Sequence, residues 1–266
     1  MILLSFNIEE FDMPLKYGKN LPFDEQLAVS TQGALAVLNI LRSTNIKATF
    51  FCTANYAQHQ PEIIKQIVNE GHELASHGYY HSYFENEHLL ASRKFLENLA
   101  DVPVKGYRMA RITPVDEQQV YRAGYKYNSS INPTWLPGHY NNFKSPRKWF
   151  WHENVLQIPL SVSPLLRFPL FWLSFHNTPL WLIKWFCSIT YEKDGYLNLY
   201  FHSWEFTDLH KPGKYGLPAY LSRNTGEDFI ELITEFIQWA QEKDYQFSRT
   251  GDFAADIIQK SRKQKI

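Results

Sequence analysis

KATFFCTANYAQHQPEIIKQIVNEGHELAS, residues 47–76, holds one complete strand–helix–strand unit. Residues 47–53 are β-branched and aromatic, and read as a strand. Pro61 suits the first position of a helix, where its missing N–H leaves nothing unpaired. Ile63, Ile64 and Ile67 then fall on one apolar face. Gly71 stands where a helix end needs a left-handed residue, and residues 72–76 return as a short strand. Two strands joined through a helix pair in parallel, with the helix outside the sheet.

The alternation continues in both directions. Upstream, residues 2–6 read as a strand, and Ala34, Val37, Leu38 and Leu41 recur at the spacing of one helix face. Downstream, a helix is expected over 87–99, a strand over 104–107, a helix from Thr113-Pro114 to Gly124, and a strand over 125–129. Further strands are expected near 156–158 and 196–201. A helix over 227–242 carries Phe229, Ile230, Ile233 and Phe236 in one stripe. Six or seven such units predict an α/β fold, a distorted (β/α) barrel of about seven parallel strands, as one domain over residues 1–266. An open doubly wound sheet is the alternative. No low-complexity linker, charge run or repeat marks a boundary.

Composition narrows the class of function. Lys and Arg number 27, Asp and Glu 27, and the pI is near 7.2, which argues against a nucleic-acid partner. Aromatic content of 16% fits a well-filled core or a sugar-binding cleft. Cys52 and Cys187 both lie beside apolar runs, so no disulfide framework is indicated. The N-terminus lacks a basic region and carries Glu9 and Glu10. It therefore reads as a first strand, not a signal peptide, and a cytoplasmic location is expected. The apolar stretch 165–186 is interrupted by Arg167, Pro169, His176, Pro179 and Lys184, which argues against a spanning helix. It leaves peripheral contact with a membrane surface open. The sequence does not give the oligomeric state.

Four segments carry chemistry. In residues 5–12, SFNIEEFD, strand alternation puts Asn7 and Glu9 on one face at the end of the strand, where barrel active sites collect; a polar loop is the other reading. In residues 71–81, GHELASHGYYH, His77 and His81 are four apart. In a helical turn this spacing brings both imidazoles within reach of one cation, and two histidines plus a carboxylate form a common catalytic zinc shell. The spacing is frequent by chance, and His72 is a further histidine more in keeping with structure. In residues 197–206, LNLYFHSWEF, His202 ends an apolar strand, placed to give a proton to a leaving group or simply to pack. In residues 106–111, GYRMAR, Arg108 is placed to orient a carboxylate or to form a surface ion pair.

Together these segments resemble the polysaccharide deacetylase family, also called the NodB-homology or carbohydrate esterase family 4 domain. The resemblance rests on Ala48-Thr-Phe-Phe51, Pro61-Glu-Ile-Ile64, Gly71 to His81, Gly106-Tyr-Arg108, Gly124 to Ser130 and Tyr200 to Glu205, and covers residues 2 to about 255. The closing segment is similar to that of a subgroup acting on surface polysaccharides such as O-antigen. The resemblance implies a NodB-like barrel and one divalent metal, zinc first, with nickel or cobalt as alternatives. It implies metal ligands Glu9, His77 and His81, and catalytic positions Asn7, Arg108 and His202. Tyr80, Trp204 and Glu205 are candidate substrate contacts. The implied activity is removal of N-acetyl groups from amino sugars of an acetylated glycan or its lipid-linked precursor. The chain departs from the family pattern at three places. The general-base position holds Asn7, the arginine motif continues as Met109-Ala110-Arg111 without proline, and Asn128 stands where aspartate is expected. Two other readings follow: a metal-containing, glycan-binding relative without catalysis, or a hydrolase of small amides or cyclic imides.

Overall fold

Seven consecutive buried residues, Ile2–Ile8, form β1. Burial on both faces is what a strand covered by helices on one side and side chains on the other requires. The computed structural model describes residues 1–136, 140–211 and 213–263; residues 137–139, 212 and 264–266 of the expected domain lie outside the described residues. After β1 come α1 (Phe23–Ser43), β2 (Thr49–Cys52), α2 (Ala54–His59), α3 (Pro61–Asn69) and β3 (Glu73–Ser76). Then follow α4 (Glu87–Ala100), β4 (Gly106–Tyr107), α5 (Glu117–Arg122) and β5 (Tyr127–Asn128). An irregular stretch holds the short antiparallel pair β6 (Trp135–Leu136) and β7 (Tyr140–Asn141), and the hairpin β8 (Phe150–His152) and β9 (Val155–Gln157). The chain closes with α6 (Trp172–Asn177), α7 (Leu180–Asp194), β10 (Leu197–His202), α8 (Ala219–Ser222), α9 (Glu227–Glu242), β11 (Phe247–Ser248) and α10 (Thr250–Lys263).

The strands lie in the order β10-β1-β2-β3-β4-β5-β9-β8. Neighbours from β10 to β9 all run parallel, giving the expected seven, and β8 is antiparallel at the end. The short β11 adds parallel to the start of β1. This is a curved half-barrel, not a flat doubly wound sheet. Between its ends, β9 and β10, side-chain bonds together with a backbone bond take the place of a ladder. The Asn198 amide donates to the carbonyls of Ile158 (3.0 Å) and Pro159 (3.1 Å), and to Ser129 Oγ (3.0 Å). The Asn198 backbone N–H donates to Ser161 Oγ (2.8 Å), and Ser161 N–H to the Asn198 carbonyl (3.0 Å).

Two local expectations change. The helix expected from Thr113-Pro114 starts later, at Glu117, because the Asp116 side chain accepts from Gln118 N–H and fixes the first turn there. The apolar run 165–186 divides at Thr178-Pro179 into α6 and α7, and among the described residues no helix is long and apolar enough to cross a membrane. One glycine is demanded by packing. A Cβ on Gly33 of α1 would collide with the carbonyl of Ser203, the residue after β10. That close approach seats α1 directly behind the end of β10.

Residues 161–170 form a finger: Val162 bridges Pro169 antiparallel, Ser163 N–H donates to the Phe168 carbonyl (2.8 Å), and Phe168 N–H to Ser163 Oγ (3.0 Å). Its tip is Pro164-Leu165-Leu166-Arg167.

Candidate metal centre and cleft

Parallel strands deliver their C-terminal ends to one rim, and the candidate residues gather there. Glu9 follows β1, His77 follows β3, Arg108 follows β4, and His202 ends β10. One ligand atom each from Glu9, His77 and His81 lies within 4.8 Å of the others, all three residues being buried. Glu9 Oε2 is 3.1 Å from His77 Nε2 and 3.3 Å from His81 Nε2. The histidines meet by a route other than the expected helical turn. Residues 77–81 are a loop, and Gly78 turns the chain with φ of 87°.

The remaining ring nitrogens are fixed by partners. His77 Nδ1 donates to the Arg108 carbonyl (2.8 Å), and His81 Nδ1 to Asp12 Oδ1 (2.7 Å). In the neutral rings both Nε2 atoms then present lone pairs towards a carboxylate oxygen. Glu9 Oε2 and His77 Nε2 are buried with no hydrogen-bond partner. Three acceptors facing one another without a donor repel unless a cation lies between them, so this donor set fits a divalent metal. Burial lowers the pKa of His77 against the opposing pull of Glu9. At His81 burial is outweighed by Glu9 and Asp12, which favour positive charge there and raise it. Burial alone would raise Glu9, but His81, His202 and His77 together hold it well below the usual carboxylate range.

Asp12 is the functional residue that sequence reasoning left without a role. It takes His81 on one oxygen and Arg111 Nη2 on the other (2.7 Å). This is the carboxylate–histidine arrangement that orients metal ligands. Arg111 and Ile112 adopt φ of 58° and 53° beside it, an uncommon conformation for residues with side chains of this size.

The triad opens into a cleft of about 280 Å³ whose wall includes Asn7, Glu9, His81, Arg111, Trp172 and His202. Asn7 Oδ1 accepts from Arg108 Nη1 (3.0 Å). Arg108 is fully buried; it donates Nε–H to the Ser129 carbonyl and Nη2–H to Ser129 Oγ (both 3.1 Å), and stacks 3.9 Å over the Phe51 ring. Among the described residues this cation has no carboxylate in contact, and burial pulls its pKa down to about 9. Glu10 is no substitute base, since it is held by Thr53 Oγ1 (2.8 Å) and Asn55 at the start of α2.

His202 Nδ1 lies 2.7 Å from Glu205 Oε1, whose second oxygen lies 3.0 Å from His176 Nε2. His176 Nδ1 faces the Arg223 carbonyl (2.9 Å), and its ring stacks on Phe229. The cleft-facing histidine is thus backed by a buried carboxylate and a second histidine. The only hint of His176 in the sequence is one polar residue inside an apolar run.

Tyr80, Trp204 and Glu205, expected as substrate contacts, are not on the cleft wall. Tyr80 is half exposed among Tyr79, Tyr83 and His88. Trp204 is buried, stacks on His202 at 4.9 Å and donates Nε1–H to Glu9 Oε1 (3.3 Å). Glu205 is fully buried because a carboxylate accepting from His202 must sit behind it. Phe171, Trp172 and Leu173 contribute to the aromatic and apolar part of the wall.

A family model for polysaccharide deacetylases matches residues 20–110, which include His77, His81 and Arg108. A peptidoglycan-N-acetylglucosamine deacetylase of Bacillus cereus is 30% identical over 128 residues, 48% of this chain and 38% of that protein. These matches make this part of the chain similar to polysaccharide deacetylases. The chain spans only about a third of the length of the first curated relatives it matches, 35% and 38%. Among solved structures, a probable polysaccharide deacetylase of Pseudomonas aeruginosa PAO1 aligns with TM-score 0.65 and 19% identity, covering 96% of this chain and 89% of that one. Puue allantoinase aligns with TM-score 0.66 and 18% identity, covering 96% and 88%. At such identities the two structures establish the shared fold alone.

Proposed function

We propose that residues 1–266 act as one metal-dependent deacetylase domain, removing N-acetyl groups from amino sugars of a surface polysaccharide, such as O-antigen, or of its lipid-linked precursor. The observation that carries this reading is the convergence of Glu9, His77 and His81 as three buried acceptors, of which Glu9 and His81 line a cleft. Two histidines and a carboxylate suit zinc, with nickel or cobalt as alternatives. When bound, the ion supplies Lewis-acid polarisation of the acetyl carbonyl and an activated water.

The chain's own residues do the rest. Trp204 and Asp12 hold Glu9 and His81 in place. Asn7 is neutral and accepts from Arg108, so it cannot take a proton. Besides the metal donors, the proton-exchanging groups on the cleft wall include His202, Lys16 and Tyr200. His202, with Nδ1 directed at Glu205, keeps Nε2 for the substrate and protonates the departing amine. Burial, with Arg111 nearby, lowers the pKa of the Lys16 amine.

One observation favours a second reading, a glycan-binding relative that has lost catalysis. The buried Arg108 meets an amide where a carboxylate would complete an ion pair. Elemental analysis of metal, with acetate release from N-acetylated amino-sugar oligomers, tests both. About one metal per chain, lost in His77→Ala, with acetate released by wild type, supports the deacetylase. Acetate release only after Asn7→Asp supports the binder. No metal in either protein after soaking in zinc overturns both.

A further inference from the structure

The finger at 161–170 displays two adjacent leucines to solvent: Leu165 is 84% exposed and Leu166 66%. Folding normally hides such side chains, and this tip is not a slack loop. It is braced by the bonds between Ser163 and Phe168 and anchored at its base to Asn198 on β10. Arg167, with φ of 54°, ties the tip to the neighbouring loop, donating to the carbonyls of Ser145 (3.1 Å) and Phe143 (2.8 Å). The apolar surface continues sideways. Phe168 stacks on Phe186 of α7 at 4.6 Å, and Phe186 touches Trp185 at 4.9 Å. Trp185 and Trp181, one helical turn apart, are 53% and 69% exposed. On the other flank the loop carries exposed Phe143 and Lys144, while its Asn142 and Ser145 line the cleft. A rigidly held apolar tip, flanking tryptophans and cations beside a catalytic mouth call for a partner.

We propose that this face docks on a phospholipid bilayer carrying anionic head groups. The leucines enter the acyl boundary, and the indoles sit at head-group depth, where tryptophan is favoured. The charge complements an anionic surface at the tip and its loop. Arg167 lies in the tip itself and the exposed Lys144 on the loop it grips, while Arg147 and Lys148 further along that loop pair with Asp194. Docked this way, the cleft mouth lies beside the head groups, within reach of a sugar whose lipid anchor stays in the bilayer. The orientation deepens the deacetylase reading for a lipid-linked substrate; the docking itself does not depend on catalysis.

The test is co-sedimentation with vesicles of phosphatidylcholine alone and of phosphatidylcholine mixed with phosphatidylglycerol. Wild type is compared with the double variant Leu165→Glu/Leu166→Glu, and light scattering reports the mass of each in solution. Wild type is expected to pellet with the mixed vesicles. The double variant, altered only at exposed positions, is expected to keep its circular dichroism and melting temperature and to bind about a hundredfold more weakly. A Lys144→Glu variant should weaken binding to mixed vesicles several-fold and lose its salt dependence. Wild type that ignores both vesicles, or a double variant that binds equally well, overturns the proposal. So does a wild-type dimer that the leucine substitutions split, since a second copy would then cover the face. No assay here needs metal or turnover, so a failed deacetylation test leaves these results readable.

Discussion

Replacing His72 with asparagine should remove one source of acid sensitivity without touching the metal centre. His72 precedes β3 with its side chain 1% exposed; its Nδ1 accepts from Ala48 N–H at 3.3 Å, and its Nε2 has no hydrogen-bond partner. A nitrogen that must accept cannot carry a proton, and burial, aided by the charge of Lys47, lowers the pKa from its ordinary 6.5 to about 4. The unfolded chain therefore binds a proton between these values that the folded chain refuses. Stability from this group is complete above about pH 6.5 and falls as pH drops towards 4. With those two values, the linkage relation gives a loss of about 2 kcal/mol between pH 7.5 and pH 5. In His72→Asn, Oδ1 can replace Nδ1 as the acceptor but does not titrate. Urea unfolding of both proteins at several pH values isolates the difference, since every other titrating group is shared. The two stability curves should converge by about 2 kcal/mol from pH 7.5 to pH 5. Curves that stay parallel would refute the account of His72 as a buried neutral acceptor. Loss of metal in the variant would make it a ligand instead.

Other outcomes follow from the same geometry. Asp12→Asn should weaken metal binding about tenfold to a hundredfold, measured by competition with a coloured chelator, because His81 loses the carboxylate that fixes its tautomer. Glu205→Gln should leave metal content unchanged and lower the rate of acetate release about tenfold or more, since His202 loses the charge behind it. Gly33→Ala should destabilise by about 1–3 kcal/mol in urea unfolding, less up to ~1 kcal/mol of helix propensity, because the new methyl meets the Ser203 backbone.

The sequence carries the first half of the barrel openly. Strands β1 to β5 each overlap a run read as a strand, and α1, α3 and α4 overlap helices read from the sequence, so there local pattern and tertiary position agree; α2, capped by Thr53, left no such stripe. Helix α9 spans residues 227–242 as periodicity predicts. Between β5 and α6 the described strands are two or three residues long, too short to show a period, and the finger and seam rest in part on side-chain bonds that leave no pattern. The site divides in the same way. Glu9, His77 and His202 are legible because each stands at a strand end, and His81 by its spacing from His77. The groups behind them are not. Asp12 reaches His81 across 69 residues and His176 reaches Glu205 across 29. The helical turn expected for residues 77–81 failed because Gly78 opens a bend that serves the same two ligands.

The seam at Asn198 has a consequence for the shape of the mouth. Elsewhere around the barrel the spacing of neighbouring strands is dictated by the peptide ladder and cannot vary much. At this one meridian the gap is bridged by a primary amide, the Ser161 hydroxyl and a backbone bond from Ser161 N–H to the Asn198 carbonyl, in place of a regular ladder. His202 lies four residues further along the same strand, and the finger is anchored to the same residue. Asn198 thus works as a clasp: a residue there without the amide would release the bonds to Ser129, Ile158 and Pro159 across the aperture beside His202, leaving the backbone bond from Ser161 in place.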